Sequence, residues 1–351
     1  MSAIASPELL RPDNFTPPQR TPWGGRKLID VYKRGLDLSA AVRAYAVVGE
    51  SWEVACGAEF PSLVRRTNQP LAALIAAQPK SWLGSDRQPQ LPLLVKWLDT
   101  ADRLSVQVHP PGDFAGLGPG ESGKWEAWWI LDAEPNAGVY LGFKSGVTRA
   151  EVQRCAQAGG AIEALLNFVP ARSGDVFVIE PGTPHALGAG LTLLEPQIAA
   201  PGKSGVTYRF WDWNRRYDAA GRPDGGGALR PLHLAESIAV TRWDAVCDDS
   251  FADTCRKRVR PLSVDTRLVR DVLIEARELI IERWHGSGEL RWSGGGAFHA
   301  LTCVAGNLRF ESEAGSVALR AGESAVVPAA VAAASIDASD VDLLSVTLRP
   351  K

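Results

Sequence analysis

The sequence predicts a mainly β protein with helical insertions. Strand-length apolar runs recur along its 351 residues, separated by Gly, Pro, Asn and Asp. Two segments have helical rather than strand character. A turn–strand–turn string near the middle of the chain is echoed close to its C-terminal end.

The expected strands are Leu93 to Leu98, Leu104 to Val108, Trp125 to Leu131, Val176 to Glu180, Leu191 to Glu195 and Val206 to Trp211. Further on they are Val272 to Trp284, Ala300 to Val304, Leu308 to Glu311 and Ser324 to Val327. Leu71 to Gln78 follows Pro70 and has a helix-favouring composition. Thr148-Arg-Ala-Glu151 is a capping box, in which Thr148 accepts from the backbone and Glu151 reaches back. Its helix should run to Ala156, with a second from Ala161 to Asn167. The glycine-rich stretch Ala219 to Gly227 reads as a surface loop.

Composition excludes several classes of function. Hydrophobic residues at 45% and charged residues at 22% are what a globular protein with a buried core requires. A net charge of -2 supplies no general attraction to nucleic acid or to a membrane surface, so neither partner is expected. Any anionic substrate must be held by a few well-placed Lys and Arg. No basic segment leads into an apolar core near the start, and no apolar run is long enough to span a bilayer. The five cysteines are odd in number and scattered, without a C-x-x-C pair. That pattern fits reduced thiols in a cytoplasm and argues against a Cys-based zinc site.

The echo divides the chain. Arg172-Ser-Gly-Asp175 leads through a strand to Pro181-Gly-Thr-Pro-His185, and Arg320-Ala-Gly-Glu323 leads through another to Pro328-Ala-Ala-Val-Ala332. Both strings resemble the second half of a cupin, or jelly-roll, barrel. The expectation is therefore two barrels in tandem, the first metal-binding and the second degenerate, because Ala332 stands where the first copy has a histidine. The first unit is read as residues 1–240, with helical insertions at about 62–85 and 147–168. The second is read as residues 241–351.

Five histidines are present, and two fall at strand ends. Residues two apart on a strand share a face, so Gln107 and His109 point together, with Ser105 beside them. Glu126 lies between Trp125 and Trp128, where a buried carboxylate needs a partner. His185 ends the rigid Pro-Gly-Thr-Pro turn. Either histidine alone would read as a packed core residue. Together, two imidazoles, a carboxylate and an amide oxygen form an open metal set suited to zinc, one ion per chain. Iron, manganese and cobalt accept the same donors. His233, His285 and His299 are read as structural or exposed.

Several ordered blocks carry a resemblance to a known family. Gln107-Val-His109-Pro, Gly123-Lys-Trp-Glu126, Pro181-Gly-Thr-Pro-His185 and Thr207-Tyr-Arg209 resemble the signatures of type I phosphomannose (mannose-6-phosphate) isomerases. Trp23-Gly-Gly25, Gly49-Glu-Ser-Trp-Glu53 and Pro92-Leu-Leu-Val-Lys96 are similar to its short bacterial branch. The resemblance covers most of residues 10–215 and loosens beyond. It implies a zinc-dependent aldose–ketose isomerase acting through a cis-enediol on mannose 6-phosphate and fructose 6-phosphate. It also implies zinc on Gln107, His109, Glu126 and His185, Lys124 beside the zinc glutamate, Arg209 as an active-site arginine, and Glu195 lining the cavity. Lys124 and Glu126 share a strand face by their spacing of two, so lysine and metal should sit together.

Lys96 and Ser105 match polar family positions and are the first candidates for the phosphate, with Lys203 and Arg215 in reserve. No glycine-rich phosphate loop opens a helix, which excludes P-loop and dinucleotide chemistry. One position departs from the family pattern, since bacterial members commonly have Ser-Asp where this chain has Ser204-Gly205. The catalytic base stays open between Glu195, a zinc-bound water and a histidine outside the ligand set. An isomerase for another aldose or aldose phosphate, and a non-catalytic sugar-phosphate-binding cupin, are the competing readings. The oligomeric state is not legible.

Overall fold

The computed structural model describes residues 5–85, 90–262, 267–276 and 278–349. Two antiparallel sheets face each other in the first unit. The larger has six strands in the order Arg256–Lys257, Val176–Ile179, Lys124–Ala133, Leu191–Ala199, Leu93–Thr100, Glu50–Val54. The smaller has five, in the order Tyr208–Trp211, Val106–Val108, His185–Leu187, Gly138–Phe143, Leu166–Pro170. Leu98, Ile130 and Leu193 of the first sheet pack with Val108, Leu141 and Ala186 of the second in one apolar core. Along those same strands the two-residue period then delivers Lys96, Glu126 and Glu195 to the same face.

The reverse face of the six-stranded sheet is also covered. Val95, Trp97, Trp125, Ala127, Trp129 and Leu194 pack against Ile274, Ile281, Phe298, Val326 and Val346 of the second unit. Burial on both faces explains the solid apolar string from Ala127 to Leu131, since a one-sided strand would alternate. Each such large side chain removed from water is worth roughly 1.5–3 kcal/mol.

The second unit is a single eight-stranded sheet. Its long strands Leu279–Ser293, Phe298–Ser312 and Ala333–Leu348 are bent by bulges, so that Trp284, Trp292, Leu301, Phe310, Ile336 and Leu343 surround one core. The sequence echo is a repeated backbone turn. Gly174 and Gly322 both take positive φ, 89° and 83°. In each turn a carboxylate, Asp175 or Glu323, accepts from the backbone N–H of the arginine three residues before it.

Several expectations need correction. The strand read from Val272 to Trp284 is a hairpin of Leu268–Ala276 and Leu279–Ser293, whose residue 277 lies outside the described residues. Ala300 to Val304 and Leu308 to Glu311 form one bulged strand. The helix from Ala161 to Asn167 is only a 3-10 turn, Ile162–Leu165, because Leu166 and Asn167 are taken into a strand beside Gly138–Phe143. Helices Trp243–Val246 and Phe251–Cys255 bury Val246, Phe251 and Cys255 in the first unit's core. Arg256–Lys257 then pairs with Val176 and Phe177, so the chain passes to the second sheet after Lys257, later than residue 240. At the other end, Glu8–Leu9 pairs with the second unit's Ala325 and Val326. Among the described residues, no helix is long and apolar enough to cross a membrane.

Candidate metal centre and active site

His185 stands directly across from Gln107 in the five-stranded sheet. His109 leaves the end of the same strand as Gln107, where the Gly182 N–H donates to its carbonyl at 2.8 Å. Gly182 makes that contact with φ at 81°, a backbone state open to glycine. The Pro181-Gly-Thr-Pro turn therefore ties the two histidines together. Glu126 reaches the pair from the facing sheet. Ligand atoms of His109, Glu126 and His185 all lie within 4.8 Å of one another, and all three residues are buried.

The hydrogen bonds fix how these groups present themselves. His109 Nδ1 lies 3.1 Å from the Val206 carbonyl, and His185 Nδ1 lies 2.8 Å from the Thr183 carbonyl. A carbonyl only accepts, so each Nδ1 carries the proton and each Nε2 offers a lone pair to the shared space. His109 Nε2 and Glu126 Oε2 are buried without a hydrogen-bond partner. Burial keeps the imidazoles neutral, holding His109 down to about 3 and lowering His185 as well. Burial alone would raise Glu126, but His109 and Lys124 beside it hold the carboxyl well below its ordinary value. Two neutral imidazoles and an ionised carboxylate with unsatisfied atoms fit a divalent metal. Gln107 stands beside this group: its amide is 3.3 Å from His185 Nε2, and a flip of that amide exchanges nitrogen for oxygen.

Glu126 and Gln107 reach the wall of a cavity of about 500 Å³. Lys96, Ser105, Lys124, Glu195, Lys203 and Arg209 all line it, so most of the residues singled out from sequence converge. The Lys124 ammonium is 2.6 Å from Glu126. Lys96 is held between two carboxylates, 3.7 Å from Glu50 and 3.6 Å from Glu195. Glu195 accepts from the Trp128 indole at 3.0 Å. Burial and the nearby Glu126 charge push its carboxyl up to about 8. Arg215 does not join them. Its guanidinium is taken by Asp212 at 2.6 Å and Asp102 at 2.9 Å, away from this cavity.

Sequence reasoning missed three participants. Gln197 donates to Glu126 at 2.5 Å and also to Glu195, linking the metal carboxylate to the cavity carboxylate. Its spacing of two from Glu195 was the available signal. Glu50 and Arg230 also line the cavity. Gly205 is explained by Lys124: a β-carbon at 205 would stand 2.8 Å from the lysine Cδ, so the missing side chain makes room for its stem.

No protein-family model matches the chain. Among curated proteins it is 28% identical over 326 residues to the mannose-6-phosphate isomerase of Streptococcus mutans, covering 92% of this chain and 93% of that one. It is 34% identical over 200 residues to the mannose-6-phosphate isomerase ManA of Bacillus subtilis, 57% of each chain. The chain is thus similar to curated mannose-6-phosphate isomerases at 28% and 34% identity. The fold superposes on the crystal structure of the mannose 6-phosphate isomerase from Bacillus subtilis with a TM-score of 0.80 at 24% identity, covering 97% and 99% of the two chains. A mannose 6-phosphate isomerase solved with zinc and yttrium bound matches at a TM-score of 0.70 and 15% identity, covering 98% and 100%.

Proposed function

We propose that this chain interconverts mannose 6-phosphate and fructose 6-phosphate through a cis-enediol, with one zinc ion held by Gln107, His109, Glu126 and His185. The observation that carries the reading is the buried His109–Glu126–His185 group opening on a cavity with Lys124 and Glu195. The activity for which the curated relatives are named supplies the substrate. Zinc, when bound, contributes Lewis acidity at the substrate's oxygens.

The protein's own groups divide the remaining work. Isomerisation moves a proton between neighbouring carbons and develops negative charge on oxygen. Lys124 supplies a buried cation for that charge, in a site where few waters dilute its field. Glu195 is the candidate proton carrier, a buried carboxyl with a raised pKa steered by Trp128 and Gln197. Arg209, directly across from Gln107, holds the substrate beside the metal strand. The free thiols of all five cysteines suit a reducing cytoplasm.

A coupled assay of fructose 6-phosphate production from mannose 6-phosphate tests the proposal. Turnover should vanish after chelation, return with zinc, and be absent from metal-free His185→Ala. A zinc-loaded protein without turnover would sink the proposal.

A further inference from the structure

We infer that the phosphate of the substrate is received by Arg230 together with Arg209, at the basic end of the cavity, and not by Lys96. The inference rests on the sugar-phosphate reading and names the part of the site that recognises the anion.

The segment Arg230-Pro-Leu-His233 is clipped to Arg209 at three points. The Arg209 N–H donates to His233 Nδ1 at 3.1 Å, the His233 N–H donates to the Arg209 carbonyl at 2.8 Å, and Arg209 Nη1 donates to the Pro231 carbonyl at 2.8 Å. These bonds bring two guanidiniums side by side on the cavity wall. Each keeps a donor without a partner, since Arg209 Nε and Arg230 Nη1 are both buried and unbonded. A buried guanidinium N–H left unsatisfied is unfavourable unless an anion arrives to accept from it.

Charge balance favours this end of the cavity. Arg209, Arg215 and Arg230 gather around the Asp212 carboxylate, while Asp102 pairs with Arg215. Arg215 takes the closest contact with Asp212 at 2.6 Å, leaving Arg230 Nε at 3.6 Å. Burial, and then the Arg230 charge, lower the Arg209 guanidinium to about 10, as expected of cations held together with too few anions. Lys203 adds an exposed cation to the same wall. Lys96 has the opposite surroundings. Two carboxylates stand against its one ammonium, and a phosphate there would meet Glu50 and Glu195 at close range. Register sets the two ends in relation to the metal: Arg209 faces Gln107 across a strand pair, so Cβ atoms there are about 5 Å apart.

Arg230→Gln is the informative variant, since Asp212 keeps Arg215 as its partner. KM for mannose 6-phosphate should rise about ten- to a hundredfold, with kcat falling less, and Arg230→Lys should recover part of the loss. Calorimetric affinity for inorganic phosphate should fall at least tenfold in Arg230→Gln and stay within threefold of wild type in Lys96→Met. Equal phosphate affinity in Arg230→Gln and wild type, or a loss carried by Lys96→Met instead, overturns the inference. A wild-type protein that binds phosphate through Arg230 without isomerising the sugar overturns the proposed reaction and leaves the anion site standing.

Discussion

The Lys124 ammonium stands 2.6 Å from the Glu126 carboxylate, with both side chains buried on one strand face. The same carboxylate belongs to the metal set, so lysine and metal draw on a shared anion. In the proposed reaction, that contact holds Lys124 where charge would develop during proton transfer. Lys124→Met should lower kcat by about a hundred- to a thousandfold while the protein still takes up zinc. Metal analysis beside steady-state kinetics checks this, and loss of metal in step with activity would assign the lysine to the ligand shell instead.

Gln197 bridges Glu126 and Glu195 through one amide nitrogen. Gln197→Leu leaves two buried carboxylates facing each other without that donor. Zinc affinity, measured by competition with a chromogenic chelator, is expected to fall about ten- to a hundredfold. An affinity within twofold of wild type would remove Gln197 from the metal's support.

Glu195 makes the stability of the metal-free protein depend on pH. Its folded value is pushed up to about 8 by burial and by Glu126, against an ordinary 4.5. Between those values the folded chain keeps a proton that the unfolded chain releases. This contribution is full below 4.5 and is lost as pH rises through 8. The unfolding free energy of chelated protein, from urea titrations, should therefore fall across that window, by up to about 1.4 kcal/mol per pH unit from this group. Glu195→Gln should flatten the trend. Parallel trends in the two proteins would contradict the assignment.

Lys33 is fully buried, with its ammonium 2.5 Å from Glu53, 2.9 Å from the Ser51 hydroxyl and 2.9 Å from the Pro12 carbonyl. Ser324, from the second unit, donates to the other Glu53 oxygen at 2.8 Å. Lys33→Ala strands a carboxylate between the units and should cost about 3–5 kcal/mol in chemical unfolding. Lys33→Met with Glu53→Leu should cost clearly less, because the uncompensated charge is gone. Additive losses in the double variant would show that packing, not charge, governs the position.

The grouping of His109, Glu126 and His185 was legible because the side chains follow strand period. Gln107 and His109 share a face, Lys124 and Glu126 share another, and His185 ends a turn whose proline and glycine announce it. Arg230 was not legible. It sits in a segment without periodicity, and only hydrogen bonds to Arg209 bring it to the cavity. The contact of Glu50 with Lys96 depends on the pairing of two strands far apart in sequence. Gly286 and Gly288, just after His285, carry no side chain from which a strand face could be read. They form the bulge that bends a continuous strand, where a β-carbon on Gly286 would meet the Arg267 carbonyl at 2.2 Å.

The apolar face shared by the two units sets a limit on how this protein can be reduced. Trp97, Trp125 and Trp129 stand one residue away from Lys96, Lys124, Glu126 and Trp128, on the opposite side of the same strands. Truncating the chain after Lys257 would keep every metal ligand yet turn those tryptophans out to solvent. The reactive face and the docking face are two sides of one sheet, so neither can drift in sequence without registering on the other. Among the described residues the second unit adds nothing to the His109–Glu126–His185 group, and its part is the apolar wall on which the first unit's sheet rests.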